Sequence, residues 1–320
     1  MSRPGRVRGD ERGVALVIVM LVLSLLLAIA GEFATAMRVE GKTALNFRGT
    51  VAAGYLAEAG YQRALVELGP EPIAHVLDQG VLVFRRARVE LLKPPAREDI
   101  ALGPGRFSYR ITDEDSRLDL NLATPQQLQR LLEELGVERD ARDVIVDSIQ
   151  DWRDGNEEHR LNGAESDYYL ALPVPYKAKN ADLESVDELL QVRGVTPALF
   201  YGSADRPGLA SYVTVAGVRQ VNVNTASPVV LRAVLGYADA EVEQLVKGRP
   251  YLAPTDIPSN LRRGSPIVKS TAFRIEATGE VPGQGRRTLR VILRRQAGQN
   301  GVAQVQLKSW QWVHDEEARS

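Results

Sequence analysis

The sequence predicts an α+β protein with three parts: a long N-terminal transmembrane and stalk helix, an antiparallel sheet, and a large all-helical domain inserted into that sheet. An apolar run near the N-terminus continues without a break into an amphipathic helical stripe. Segments of alternating polarity lie at both ends of the remaining chain, and two related helical motifs lie between them. The 320 residues are enough for two ordinary domains besides the membrane segment.

Composition excludes several kinds of chemistry. The sequence has no cysteine, which removes disulfides, thiolate catalysis and cysteine-ligated zinc. Its three histidines, His75, His159 and His314, are far apart along the chain, which argues against a histidine metal site or a catalytic triad. Because the sequence also lacks a phosphate-binding loop and a cofactor motif, we expect that the protein is not an enzyme.

Residues 14–30 form an apolar segment that would span about 26 Å as a helix, at the short end of what crosses a bilayer. Helical character continues through an amphipathic stalk at 31–70, which Gly69-Pro70 ends. A cleaved secretory signal is the competing interpretation, because Ala28-Ile29-Ala30 and Ala34-Thr35-Ala36 are small-x-small sites. The unbroken helix favours a permanent anchor, since a removed signal has no reason to be continuous with a stalk.

Five segments with alternating apolar and polar residues predict the strands of the sheet. They are 81–92, 106–114, 272–281, 287–296 and 302–313. Two segments precede the helical part and three follow it, so residues 71–115 and 266–313 are predicted to form one αβ domain. Residues 314–320 form a charged tail.

The predicted insertion, residues 116–265, carries two related motifs. Residues 118–137 and 221–237 both contain asparagine followed by Ala-Thr-Pro or Ala-Ser-Pro, and then leucines at helical spacing. Thr124 and Ser227 are suitable helix N-caps, each with proline at the next position. Each motif therefore predicts the start of a helix.

Helix pairs of this kind resemble helix-hairpin-helix modules, many of which bind DNA, so a DNA receptor is an alternative function. Residues 111–200, however, contain 20 acidic and 9 basic residues, a net charge of −11. Such a region repels a phosphate backbone, and we therefore expect no nucleic-acid partner. Residues 261–308 have a net charge of +8, and both charge runs are also consistent with solvated faces.

An acidic loop at residues 151–176 has the composition of a binding site. Six carboxylates fall within 17 residues of it, namely Asp151, Asp154, Glu157, Glu158, Glu165 and Asp167. Carboxylate oxygens in a flexible loop suit Ca²⁺, although this spacing is not that of an EF-hand. The alternative is a solvent-facing loop whose acids cap helices and pair with Arg153 and Arg160. The spacing alone favours neither interpretation.

The N-terminus resembles the type IV prepilin and pseudopilin class, in which a short basic leader ending in glycine precedes an apolar helix. The leader would be residues 1–13, with its arginines on the cytoplasmic side. The resemblance implies that a prepilin peptidase cuts after Gly13 and methylates Val14. Ordinary members carry a glutamate at the fifth mature position, where this chain has Ile18. A carboxylate in the bilayer costs about 2.5–3.5 kcal/mol and therefore needs a charged partner, which in pilins is the N-terminal ammonium of the adjacent subunit. A subunit without the glutamate cannot form this pair, which predicts a position at the end of the stack, where that neighbour is absent.

The whole chain resembles the K component of the type II secretion system, a minor pseudopilin whose pilin-like αβ domain contains a large helical insertion. The motifs that carry the resemblance are Arg12 to Leu16, Asp119 to Asn121, Asp151-Trp152, Asn162 to Glu165, Tyr168-Tyr169, Ser185 to Leu189, Arg193-Gly194 and Asn222 to Ala226. The resemblance implies a structural role at the pseudopilus tip, capping or initiating assembly for the export of folded proteins across the outer membrane. The implied partners are minor pseudopilins I and J and other pseudopilins.

The same resemblance implies a single-pass inner-membrane protein with its C-terminal domain in the periplasm. It also implies calcium in the insertion, for which Asp151, Asp154, Glu165 and Asp167 are the predicted ligands. A minor pilin of a type IV pilus is the alternative, but it would usually retain the glutamate and lack the two motifs. An anchored periplasmic scaffold is a third possibility, and it predicts no cleavage at the glycine.

Overall fold

The computed structural model describes residues 11–68, 73–76, 82–85, 95–263, 266–297 and 303–313. The helices are α1 (Glu11–Leu68), α2 (Pro125–Glu134), α3 (Arg139–Arg153), α4 (Ser166–Leu170), α5 (Pro197–Tyr201), α6 (Pro228–Leu235) and α7 (Asp239–Lys247). The strands are β1 (Ile73–Val76), β2 (Leu82–Arg85), β3 (Ile100–Leu102), β4 (Gly105–Asp113), β5 (Leu118–Asp119), β6 (Gly202–Ser203), β7 (Arg206–Pro207), β8 (Val213–Thr214), β9 (Ala272–Val281), β10 (Gly285–Ala297) and β11 (Ala303–Val313). The predicted tail at 314–320 and the first ten residues of the predicted leader lie outside the described residues.

Helix α1 has 58 residues and is about 87 Å long. It contains no proline, and its side chains from Val14 to Arg48 are exposed. Packing against the rest of the protein begins at Gly49. Of the helices described, this is the one long and apolar enough to cross a membrane, with a mean hydropathy of 3.0 in its most apolar window. The predicted long N-terminal helix is confirmed.

The last third of α1 packs on a five-stranded antiparallel sheet with the strand order β11-β10-β9-β4-β3. Alternation places apolar residues on the helix side, where Ile111 lies opposite Ile275 and Leu289 lies opposite Ala277. The helix lies close to the sheet at Gly279, where a Cβ atom would overlap the carbonyl oxygen of Ala53. The predicted antiparallel sheet is therefore confirmed, and the end of α1 covers one of its faces.

The composition of the sheet differs from the prediction at its first strand. The described part of the predicted segment 81–92 forms β2, which pairs with β1 in a separate two-stranded sheet. The five-stranded sheet instead takes the three-residue β3, which forms a hairpin with β4 around Gly103 at φ +57°. A strand of three residues is too short to show alternation, so the sequence pattern did not reveal it. Residues 86–92 lie outside the described residues.

Between β4 and β9 the chain forms the inserted domain, which has its own apolar core. Helices α2 and α6 pack against each other in it, and Leu128, Leu131 and Leu231 are fully buried. The domain is not all-helical as predicted, because it contains the two-residue pairs β5 with β8 and β6 with β7. These pairs satisfy backbone groups in the connections between short helices, where no helix supplies a partner.

The two sequence motifs adopt the same local geometry. The side-chain amide of Asn121 exchanges two hydrogen bonds with the backbone of Leu183, and Asn224 does the same with Tyr251. An arginine from outside each motif, Arg153 for the first and Arg249 for the second, donates to the carbonyl of the alanine before the N-cap. The helix after each N-cap ends at a glycine in the left-handed region, with φ of 77° and 68°. The insertion therefore contains two motifs with the same local geometry, each followed by a second helix, α3 or α7.

Candidate functional site

The acidic loop begins in the last turn of α3, where Asp151 is fully buried. The chain returns to this carboxylate at Gly163, where a Cβ atom would overlap Asp151 Oδ2. Only glycine permits this approach. The loop is therefore folded tightly against a buried charge rather than extended into solvent.

Arg160 bridges two of the predicted calcium ligands. Its Nη1 atom lies 2.5 Å from Asp151 Oδ1 and 2.5 Å from Asp154 Oδ2, and its backbone N–H also donates to Asp151, at 3.3 Å. The pairing with Arg160 that the sequence left as an alternative is thus present. Arg153 instead donates to backbone carbonyls and to Gln150, so it does not pair with these acids.

Glu165 is the most unusual acid in the loop. It is 1% exposed, and both of its carboxylate oxygens are buried without a hydrogen-bond partner among the described residues. Burial raises the pKa of Glu165 to about 7, and the nearby negative charges of Asp151, Asp154 and Glu157 act in the same direction. Unpaired buried oxygens beside other carboxylates are the donor set that a hard cation such as Ca²⁺ prefers.

The other acids of the loop have different roles. Asp167 is largely exposed and lies 2.9 Å from His159 Nε2. Glu157 accepts hydrogen bonds from Ser166 and Asn180 and so closes the loop on itself. The sequence prediction grouped Asp167 with Glu165 as a ligand and left Glu157 out, and nothing in the spacing showed that Asp167 is exposed and Glu165 buried.

As the side chains lie, no group of three or more histidine or acidic residues within the described ranges converges closely enough to hold a metal ion. The guanidinium of Arg160 stands between Asp151 and Asp154, where a shared cation would lie. The three acids Asp151, Asp154 and Glu165 nevertheless share one electrostatic environment. The calcium assignment stays a prediction.

An aromatic cluster supports the loop from the inside. Trp152 packs edge-on against Tyr169, and Tyr176 stacks on Tyr169 with ring centroids 5.2 Å apart. Arg193 lies over the ring of Tyr168 and donates to the carbonyl of Gly163 at 3.0 Å. The position of the loop is therefore fixed by packing and by a side chain about 30 residues away in sequence, which no local pattern reveals.

A second cluster of buried acids, which sequence reasoning missed, lies where the chain leaves β4 and enters the insertion. Asp113, Glu114 and Asp115 are all at most 2% exposed. Asp113 Oδ2 accepts hydrogen bonds from Asn222, Thr225 and Ser270. Asp115 accepts from the backbone and the hydroxyl of Thr271. We call Asp113–Asp115 the junction acids.

The pKa values of the junction acids are shifted in different directions. Burial raises the pKa of Asp113 to about 7, helped by the adjacent charge of Asp115, although neutral donors oppose the shift. Burial also acts on Glu114, but Arg117 and Arg274 outweigh it and lower the pKa of Glu114. Three consecutive acids thus connect the sheet, the second motif and the strand that leaves the insertion.

The residues predicted for processing lie in α1. Gly13 is in its first turn, and the side chains of Val14 and Ile18 are exposed, at 61% and 56%. An exposed apolar surface of this kind suits a lipid environment. Cleavage after Gly13 and methylation of Val14 stay predictions.

The chain is similar to proteins of one secretion system. A family model described as "Type II secretion system (T2SS), protein K" matches residues 110–218, a stretch that contains the junction acids and the acidic loop. The type II secretion system protein K of Klebsiella pneumoniae is 28% identical, over 96% of this chain and 99% of that protein. The protein of the same name from Pectobacterium carotovorum subsp. carotovorum is 27% identical, over 84% of this chain and 85% of that protein.

A solved structure has the same fold. The crystal structure of the GspK-GspI-GspJ complex from the type 2 secretion system of enterotoxigenic Escherichia coli contains a chain that matches with a TM-score of 0.62. The match covers 88% of this chain and 100% of that chain, at 19% sequence identity. These comparisons confirm the resemblance to the K component, and they favour neither a type IV minor pilin nor a DNA receptor.

Proposed function

We infer that this chain is a minor pseudopilin of the type II secretion system, of the K type, because its likeness to K proteins extends over nearly the whole chain. The family is a structural component of a secretion machine. The function is therefore to pack beside other subunits through α1 and to present the inserted domain above them. The observation that carries this function is one 58-residue helix joined to a sheet that contains a large insertion.

The helix provides the surface for assembly. From Gly31 to Arg48 its side chains are exposed among the described residues, with Phe33, Met37 and Phe47 at 68%, 52% and 70%. Apolar side chains at these steps form a stripe that a neighbouring helix would cover. The solved relative was crystallised as a complex with I and J subunits, and we propose the same partners for this chain.

Two features support the proposed tip position. The glutamate that other subunits carry at the position of Ile18 pairs with the N-terminus of the adjacent subunit. Ile18 cannot form that pair, so this chain does not require a neighbour on that side. The insertion between β4 and β9 adds about 150 residues to one end of a small sheet domain. A body of that size would obstruct a subunit stacked above it, which suits a cap or an initiator.

Co-purification tests the assembly. The full chain, with a C-terminal tag, is expressed with the I and J subunits of its own system and extracted in detergent. A stable three-subunit complex is expected, with Met37→Glu weakening it and Thr35→Glu, on the opposite side of the helix, leaving it intact. Failure of the unmodified chain to form the complex would contradict the proposed function.

Residues 14–30 are proposed to span the inner membrane once, with the remaining domain in the periplasm. We propose cleavage after Gly13 and methylation of Val14. N-terminal sequencing and intact mass of membrane-extracted protein should find a methylated Val14. A chain that begins at Gly31 or Met37 would instead support a cleaved secretory signal.

Asp151, Asp154 and Glu165 are proposed to hold Ca²⁺, which would supply a positive charge and oxygen coordination to buried carboxylates. The unpartnered oxygens of Glu165 support this proposal. Asp167 is a weaker candidate, since it lies beside His159. EGTA should lower the Tm of the protein in detergent, and Ca²⁺ should restore it; an unchanged Tm would contradict the calcium site.

A further inference from the structure

We propose that Arg160 is a built-in counter-ion that holds the acidic loop closed without metal and is displaced when a divalent cation binds. The inference rests on the calcium site proposed above, and it assigns to one side chain of this protein the control of that site. It predicts two arrangements of the same loop, one latched by arginine and one occupied by a cation.

The contacts of Asp151 carry the first step. Its carboxylate is fully buried, and every hydrogen bond it receives from the described residues comes from the backbone N–H or the guanidinium of Arg160. A buried carboxylate without a cation is costly, so removal of Arg160 leaves a site that must find another positive charge. The same guanidinium also pairs with Asp154, whose side chain is 25% exposed.

The second step is that Arg160 satisfies this group of acids incompletely. Its donors reach Asp151 and Asp154, but both oxygens of Glu165 stay without a partner among the described residues. A planar guanidinium directs its hydrogen bonds in one plane, whereas Ca²⁺ accepts six to eight oxygens from all directions. The three carboxylates do not converge in the arrangement latched by arginine, so cation binding requires that they turn toward one point. A cation at that point would engage all three acids, which the arginine does not.

Arg160 is also able to leave. Its side chain is 39% exposed, and residues 155–161 around it are exposed or nearly so. Gly155, near the start of this segment, has no described atom within 4 Å of the point where a Cβ would lie, so the backbone there is unobstructed. By contrast, Arg153 is fixed by carbonyls of the first motif and cannot take over the role. Exchange needs the Arg160 side chain to turn away within the exposed segment. The hydrogen bonds that Glu157 accepts from Ser166 and Asn180 and the buried core can stay in place.

The test compares Ca²⁺ binding by the full chain in detergent with Arg160→Met, which keeps the approximate length of the side chain and removes its charge. Calorimetric titration with CaCl₂ is expected to give a Kd about tenfold lower for R160M, or roughly 1.4 kcal/mol. In EGTA the Tm of R160M should fall below that of the unmodified protein, and in saturating Ca²⁺ this deficit should disappear. Arg139→Met, an equal charge change at the exposed start of α3, should alter neither value.

The outcomes separate this inference from the calcium site itself. Equal or weaker Ca²⁺ binding by R160M, with intact binding by the unmodified chain, overturns the exchange and leaves the site standing. Binding by R160M alone supports it, because Arg160 then excludes the cation. Absence of binding in every variant overturns both proposals. If R160M does not fold in EGTA, Arg160→Lys keeps the charge but not the bridging geometry, and its Kd should fall below that of the unmodified chain; a Kd equal to that of the unmodified chain overturns the exchange.

Discussion

Substitution of Asp113 by asparagine should change how the stability of the protein depends on pH. Asp113 is 2% exposed, receives hydrogen bonds from neutral donors, and has a pKa raised from 3.8 to about 7 by burial and by the charge of Asp115. A raised pKa in the folded state means that folding favours the protonated acid. The stabilisation is complete below pH 4 and is lost as the pH rises to 7.

The size of the effect follows from the pKa difference. Each pKa unit corresponds to about 1.36 kcal/mol, and the group is already half-ionised in the folded protein at pH 7. The unmodified protein should therefore lose roughly 2 kcal/mol through this group between pH 5 and pH 7. Because Asp113 and Asp115 interact, this figure belongs to the pair. Asparagine is neutral at every pH and lacks this loss. The D113N protein should therefore become more stable relative to the unmodified protein as the pH rises. A pH-independent change in stability caused by the substitution would not alter this trend.

Thermal unfolding of the full chain in detergent, followed at several pH values from 5 to 7, measures this difference. A gain of roughly 2 kcal/mol corresponds to a relative increase in Tm of roughly 3–6 °C for a protein of 320 residues. The groups that face Asp113 are Asp115 and, nearby, Arg117, both of which are retained in the variant. Asp239→Asn, which removes an exposed ion pair with Arg232, is the control, and its Tm relative to the unmodified protein should not change with pH. Parallel curves for D113N and the unmodified protein would refute the reasoning.

Three further predictions concern packing, a buried ion pair and processing. Gly163→Ala should lower the free energy of unfolding by about 2 kcal/mol or more and abolish the proposed Ca²⁺ binding, because the new Cβ atom overlaps the buried carboxylate of Asp151. Gly155→Ala, where the Cβ atom meets no described atom, is the control and should do neither. Equal Tm values for the two variants would contradict this prediction. Glu67→Gln should lower the free energy of unfolding, measured by chemical denaturation, by about 3 kcal/mol, because it leaves the nearly buried Arg97 without its charge partner. A loss below about 1 kcal/mol would contradict a stabilising role of this ion pair. Gly13→Leu should block removal of the leader, so that intact mass finds the full chain; normal cleavage would exclude the glycine as the processing site.

The parts of the fold that the sequence predicted are those with long regular patterns. The apolar run and the stripe after it specified α1, and alternation over ten residues specified β9. The three-residue β3 has no such pattern, and its pairing depends on the turn at Gly103 and on β4 beside it. Propensity over three residues is too weak a signal to outweigh tertiary context.

The sites were predictable only as composition. Six acids in a glycine-containing loop were compatible with a cation site or with a solvent-facing loop, and only the family resemblance favoured calcium. Spacing could not show that Glu165 is buried and unpaired among the described residues while Asp167 is exposed. The sequence did not predict the cluster of junction acids, because charged residues at the end of a strand are usually solvated. Their donors, Asn222 and Ser270, are more than 100 residues away, and only the fold brings them together.

The bare stretch of α1 has an electrostatic consequence. Gly49, where packing on the sheet begins, lies 19 residues beyond Ala30, about 28 Å along an upright helix. After the headgroup layer of about 6 Å, roughly 20 Å of clearance remains, which is more than two Debye lengths at physiological salt. With residues 14–30 in the bilayer, as proposed above, the charges of the sheet and the insertion are therefore screened from the lipid surface. Their strong local imbalance acts on neighbouring proteins and on ions, and the bilayer does not sense it.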